Sequence, residues 1–160
     1  MSLILQIANL SVSLDVFASK EYPRIRADIG KVSYTAAGTP VGSGTFYEPK
    51  HLWDINVLLE DRELHLLKLI YAEHDFRRRS LQDANVTIID TTQYYEERLP
   101  RTRAIAPGTE QLDLPEPNPT HCLYYAQFKA WFSQEPRFDH QRAYWGARFT
   151  LVETDKVAAV

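Results

Sequence analysis

Apolar and polar residues alternate along residues 11–17, where Val12, Leu14 and Val16 share one face and Ser11, Ser13 and Asp15 the other. That period of two predicts a half-buried strand. A longer run of the same kind sets Trp53, Ile55, Val57 and Leu59 against Asp54, Asn56 and Glu60, with Leu58 alone out of phase. Between the two, Val32 and Tyr34 precede a tip that contains Gly38, Pro40, Gly42 and Gly44, and Phe46 and Tyr47 follow it. Glycine and proline at that density punctuate regular structure, so two short strands around a projecting tip near residues 36–44 are expected.

After Glu60 the period changes. Leu64, Leu67, Ile70, Tyr71 and His74 fall on one stripe at helical spacing, which predicts a helix over residues 61–79 with Asp61 as the cap of its amino end. Leu66 and Leu69 lie off the stripe, so a second side of the helix is expected to meet protein. The run VTIID at 86–90 reads as a strand, and DTTQYYEE from 90 to 97 either continues it or turns outward.

Residues 99–120 hold Pro100, Pro107, Pro115, Pro117 and Pro119. Each proline removes a ladder donor, so this segment is excluded from a sheet interior and is expected to form a long loop or arm, either mobile or held by something outside the domain. Beyond it, Tyr124, Ala126, Phe128, Ala130 and Phe132 form one strand face against Tyr125, Gln127, Lys129 and Trp131. A polar connection containing Pro136 leads to a last strand with Trp145, Ala147, Phe149 and Leu151 on one side, and these two strands are expected to pair antiparallel. There is no internal repeat or heptad run, and residues 1–160 read as a single structural domain. The expected fold is β-rich α+β: an antiparallel β-sandwich or barrel with one long packed helix and extended loops.

A chain of 160 residues buries roughly 70% of its unfolded surface and needs no disulfide or metal to fold. The net charge of −3 argues against electrostatically driven binding to nucleic acid or an anionic membrane. The single cysteine, Cys122, excludes an intrachain disulfide framework, and the first fifteen residues read as neither signal peptide nor membrane span.

The common cofactor, phosphate and nucleophile signatures are missing: there is no GxGxxG, Walker loop, HExxH or GxSxG. No cofactor and no metal is expected. His121 and Cys122 are adjacent, but neighbours in a strand point to opposite faces, so Cys122 reads as a small buried hydrophobe. Glu73, His74 and Asp75 fan out by about 100° per residue and do not converge on an ion, which favours a solvated helix end. Arg77, Arg78 and Arg79 suit the carboxyl end of that helix, with a partner surface as the competing reading. Tyr94 and Tyr95, and likewise Tyr124 and Tyr125, are adjacent pairs, so one ring of each is expected off the core, available to a protein interface or to a sugar. Asp54, Asp90 and Glu153 are scattered carboxylates that a hydrolase could use, without a motif behind them.

The Trp-bearing strand HLWDINVLL, the helix carrying Glu63, Leu64, Leu67 and Tyr71 as E-L-x-x-L-x-x-aromatic, the strand ending at Asp90 and the late strand ARFTLVE together resemble the minor tail and distal tail proteins of tailed bacteriophages. The match covers roughly residues 31–90 and 145–153. The resemblance implies a tail-tube-like β-barrel or sandwich and a non-enzymatic, ring-forming subunit, often hexameric. Such a subunit joins the tail tube to the hub or baseplate, contacts other tail proteins and resides in the virion tail after assembly in the host cytoplasm. The arm after Leu99 and the short length leave little room for the second domain of larger distal tail proteins, so a small baseplate or tube-adaptor subunit is the nearer analogue. A carbohydrate- or receptor-binding β module is the alternative.

A ring above a dimer joins two different patches. The protruding tip is expected to supply one, through Gly38, Pro40, Gly42 and Gly44. The other is expected to include sheet-edge or helix residues left uncovered within one subunit, with Leu66, Leu69 and the spare tyrosines of the two pairs as candidates; Arg77, Arg78 and Arg79, and Pro115, Pro117 and Pro119 of the arm, are further expected interface residues. Tip and arm are both expected to contact other subunits rather than the domain's own core.

Overall fold

The computed structural model describes residues 1–18, 23–26, 31–43, 50–115 and 117–159; Gly44, Phe46 and Tyr47 lie outside them. The first hairpin joins β1 (Leu3–Ile7) to β2 (Leu10–Leu14). The sequence pattern missed β1 because Ile4, an apolar residue at an outward position, hides the alternation of buried Leu3, Leu5 and Ile7. Then come β3 (Arg24–Arg26), the hairpin β4 (Lys31–Tyr34) and β5 (Pro40–Ser43), and the Trp-bearing β6 (His51–Leu59). In β6 the expected face is the buried one, with Trp53, Ile55, Val57 and Leu59 all fully covered.

Helix α1 spans Asp61–Arg79. Its amino end is closed by Glu63, whose carboxylate accepts the backbone N–H of Glu60 at 2.9 Å, while Asp61 instead accepts the indole N–H of Trp145 at 2.9 Å. The expected cap is thereby displaced by one residue, because Asp61 is already helical and its side chain is taken by Trp145. Leu64, Leu67, Ile70 and His74 are buried, and α1 packs against β1, β2, β6 and the late strands Gln127–Phe132 and Tyr144–Glu153. The helix stops at Ser80, whose N–H bonds to the carbonyl of Phe76, and Leu81 follows with φ +56°.

The remaining strands are β7 (Val86–Asp90), β8 (Tyr95–Arg98), β9 (Leu112–Leu114), β10 (His121–Tyr124), β11 (Gln127–Phe132), β12 (Arg137–Gln141) and β13 (Tyr144–Glu153). All pairings are antiparallel, and the main sheet runs β2-β1-β7-β11-β13-β6-β3 with β12 attached to β13. The expected pairing of the last two core strands is present as β11 with β13, from Ala130↔Glu153 to Phe132↔Leu151. The connection between them is not simply polar loop: residues 137–141 form a strand against β13, exposed except for Phe138, whose partly buried ring packs on the core. The chain from 90 to 97 turns outward, and β8 joins a separate sheet of order β8-β10-β9.

Beyond β2 the chain reaches β6, the far side of the strand order. Phe17 bridges Val57, Leu58 N–H donates to Val16 O at 2.8 Å, and Ala18 N–H donates to Asn56 O at 2.9 Å. Residues 16–18 and then β3 thus line the edge of β6 that β13 leaves open. The strand phase read from residues 11–17 does not survive this transfer. Val16 is 56% exposed, and Phe17 packs on the core in its place, because the pleat is interrupted between β2 and the bridge.

Nor does the whole proline-rich arm stand away from the domain. Between Pro100 and Pro107 no residue lacks an N–H, and the backbone there pairs at alternate residues: Ala104 N–H donates to Val157 O, Ala106 N–H to Tyr125 O, and Ala104 O accepts from Gln127. Arg103 and Ala106 are buried. Exposure is scattered at Thr102, Pro107, Gly108, Glu110 and Leu112 and becomes continuous among the described residues of the later part, where Pro115, Pro117 and Pro119 fall.

Candidate functional site

Strand parity puts three ionisable residues on buried faces: His51 at the start of β6, Asp90 at the end of β7 and Glu153 at the end of β13. A charge so placed requires a partner, since a bare buried ion costs far more than folding can supply. Two arginines provide the partners. Arg24 of β3 lies with Nη1 3.3 Å from Asp90 Oδ2 and donates through Nη2 to Tyr94 O at 2.8 Å. Arg103, from the arm, donates to Glu153 Oε1, while the other oxygen of Glu153 takes the backbone N–H and Nδ1 of His51, both at 2.9 Å. Asp90 also accepts the N–H and hydroxyl of Thr92 and, at 3.3 Å, the indole N–H of Trp53. Both guanidinium groups lie over the rings of Tyr95 and Phe128, at 5.0 to 5.6 Å from the centroids.

The electrostatics follow from burial and these partners. Desolvation pushes the Arg24 pKa down against the pull of Asp90. For Arg103 the burial penalty is outweighed by the hydrogen bond and charge of Glu153, and its pKa rises. Burial alone would raise Glu153, but the hydrogen bonds from His51 and Arg103 hold it below the usual carboxylate range. Nearby, Glu97 accepts from Tyr124 and from the backbone and hydroxyl of Thr102, which lower its pKa despite burial, while burial and Glu97 raise that of Tyr124. With all four oxygens of Asp90 and Glu153 engaged, the cluster acts as an ionic lock joining β3, β6, β7, β13 and the arm.

Of the three scattered carboxylates, then, Asp90 and Glu153 meet in one cluster and Asp54 faces outward, exposed. A cavity of about 220 Å³ opens beside the lock, lined by Arg24, Arg26, His51, Gln93, Tyr95 and Glu96, with Tyr94 at its side. Tyr94 stacks on Tyr125 with centroids 4.4 Å apart and planes 13° from parallel, while Tyr95 and Tyr124 meet edge to face in the interior. One ring of each adjacent pair is therefore off the core, as the strand parity requires. Cys122 is buried, with its pKa raised first by desolvation, and His121 is exposed on the opposite face.

The anticipated interface residues are distributed over three places. Gly38, at φ +77°, turns the β4–β5 hairpin, and Pro40 and Gly42 lie on its return strand. All of residues 33–42 are exposed, including Tyr34 at 71%. On the helix, Leu69 is 38% exposed, but Leu66 is half-buried and packs on the domain's own core, which removes it from any uncovered surface. Arg77 pairs with Glu73, and Arg78 and Arg79 share Asp75, so every arginine of the run has an acid partner on the helix itself. His74 is not part of a solvated end. It is 1% exposed among Tyr71, Trp131 and Phe132, with Nδ1 2.7 Å from Ala84 O, and desolvation lowers its pKa.

Arg24, His51 and Arg103 had not been singled out from the sequence. The signal lay in their partners: an acid at an inward strand position announces a buried cation, although nothing local says which one. Among the described residues no group of three or more potential ligands is placed to hold a metal ion, and no helix is long and apolar enough to cross a membrane. No protein-family model matches the sequence, and no curated protein or solved structure matches it.

Proposed function

We propose that this protein is a non-enzymatic structural subunit of a bacteriophage tail or baseplate, forming a homo-oligomeric ring between the tail tube and the hub or baseplate. The observation that carries this reading is the β4–β5 hairpin. Among the described residues its two strands pair only with each other, and it exposes every described side chain from 33 to 42, including a tyrosine 71% open to solvent. An isolated two-stranded hairpin is marginal in water and needs a further surface to hold it. A second support is the run of residues 16–18 onto β6, which brings the two ends of the main strand order together and which we read as closure into a small tail-tube-like barrel. The resemblance of the Trp-strand, helix and late strand to minor and distal tail proteins points the same way.

Light scattering across a range of concentrations, with electron microscopy of the largest species, tests the proposal. A closed ring of one repeating mass supports it, and a strict monomer at all concentrations refutes it. The stacked Tyr94 and Tyr125 beside a polar cavity favour a second reading, a carbohydrate-binding module. A monomer that binds glycans, and loses them on Tyr94→Ala, would establish that one instead.

A further inference from the structure

The hairpin has a sidedness that bears on what it touches. Tyr34 and Pro40 are direct cross-strand partners and so share a face. From residue 33 to residue 42 the hairpin carries no Asp, Glu, Lys or Arg. The other exposed stretches are charged: the outer arm has Glu110 and Asp113, and β12 has Arg137 and Asp139. A neutral, partly apolar face calls for a neutral, partly apolar receptor, because an unpaired charge opposite it would be desolvated without compensation.

Such a receptor lies on the outer side of α1. There the helix and the start of β12 enclose a groove of about 550 Å³. Its apolar walls come from Tyr71, Pro136 and Phe138, with the small exposed Ala72 between them. Its four charged residues balance, Lys68 and Arg79 against Asp75 and Glu135. Two of them are already engaged with each other, Arg79 with Asp75 at 2.8 Å, and Lys68 sits over the Phe138 ring at 5.2 Å. Lys68, Arg79 and Glu135 stand at exposed positions where their charges keep water, and the apolar walls between them accept an aromatic ring and a proline.

We propose that the Tyr34 and Pro40 face of the hairpin seats in the α1–β12 groove of a second copy of this chain. The pairing rests on the ring reading above and specifies its contact: two different patches, one protruding and one recessed, which is the heterologous join that cyclic assembly requires. Tyrosine is a favoured anchor at such joins because a large rigid ring is buried at low entropic cost.

Two substitutions, one on each patch, test it in the full chain. Tyr34→Asp puts a charge on the hairpin face, and Ala72→Arg fills the groove from an exposed helical position that arginine suits. Circular dichroism checks that both fold. Light scattering of each variant alone is expected to show association weakened at least tenfold relative to wild type. The 1:1 mixture is expected to form a heterodimer and nothing larger, since Tyr34→Asp retains an intact groove and Ala72→Arg an intact hairpin. If wild type assembles and either variant assembles equally well, or if both fail and their mixture stays monomeric, the pairing is wrong while the ring reading stands. A wild type that never associates overturns both.

Discussion

Replacing Glu153 by Gln removes the charge of the ionic lock and turns one of its two accepting oxygens into a donor, while the shape is kept. The side chain is 3% exposed and nearly isosteric with Gln, so no cavity opens. What disappears is the negative charge that Arg103 and His51 converge on. Arg103 is 2% exposed and cannot shed its proton, so it remains as a buried cation lacking its counter-ion. Breaking a buried pair in this way costs about 3 to 5 kcal/mol, whereas removing both partners for apolar residues is often close to neutral. In a chain of this length that corresponds to roughly 6 to 20 °C in Tm. Urea denaturation followed by circular dichroism measures it, with the Glu153→Leu/Arg103→Leu double variant expected to recover most of the loss. The acid limb supplies an independent check. The folded pKa of Glu153 lies below its ordinary 4.5, so the stabilisation is complete above about that pH and is lost as the pH falls through the lower folded value. Glu153→Gln should flatten that part of the stability profile. A loss below about 1 kcal/mol, with an unchanged acid limb, would falsify the lock as described.

Leu67, fully buried at the centre of α1, should cost about 2 to 5 kcal/mol when cut to Ala; a change under about 0.5 kcal/mol in chemical denaturation means that this face is not the packed one. His74 has a folded pKa below its ordinary 6.5, so the unfolded chain takes up the proton first and stability declines as the pH falls below about 6.5. Denaturation midpoints compared at neutral and mildly acidic pH should show that decline in wild type and less of it in His74→Phe; parallel profiles refute the assignment.

Where the sequence was informative, it was so because one period applied without interruption. In β6 and β13 the inward residues recur every second position over the full strand, and the stripe of Leu64, Leu67, Ile70 and His74 lies wholly within α1. Errors arose where two rules met. At residues 16–18 the pleat breaks as the chain passes from one strand partner to another, so parity assigned Val16 to the interior that Phe17 occupies. In the arm, proline content was averaged over 99–120, although the stretch between Pro100 and Pro107 is free of proline and pairs along its backbone. The lock was half visible: Asp90 and Glu153 stand in phase with Val86 and Leu151, but Arg24 and Arg103 lie in segments with no periodicity, and only tertiary structure brings them in.

The anchoring of the arm through Arg103 has a consequence for how the molecule comes apart. A surface loop ordinarily opens by itself, at a free energy near zero, and offers its backbone to exchange and proteases while the rest stays folded. Here, lifting residues 102–106 away pulls a guanidinium out of the interior, strands Glu153 and His51, and breaks the backbone bonds to residues 125, 157 and 159 together. Local opening of that stretch is therefore expected to cost far more than that of an ordinary loop, and its amides to exchange with those of the interior strands. Among the described residues, 117–119 show no such tie to the interior.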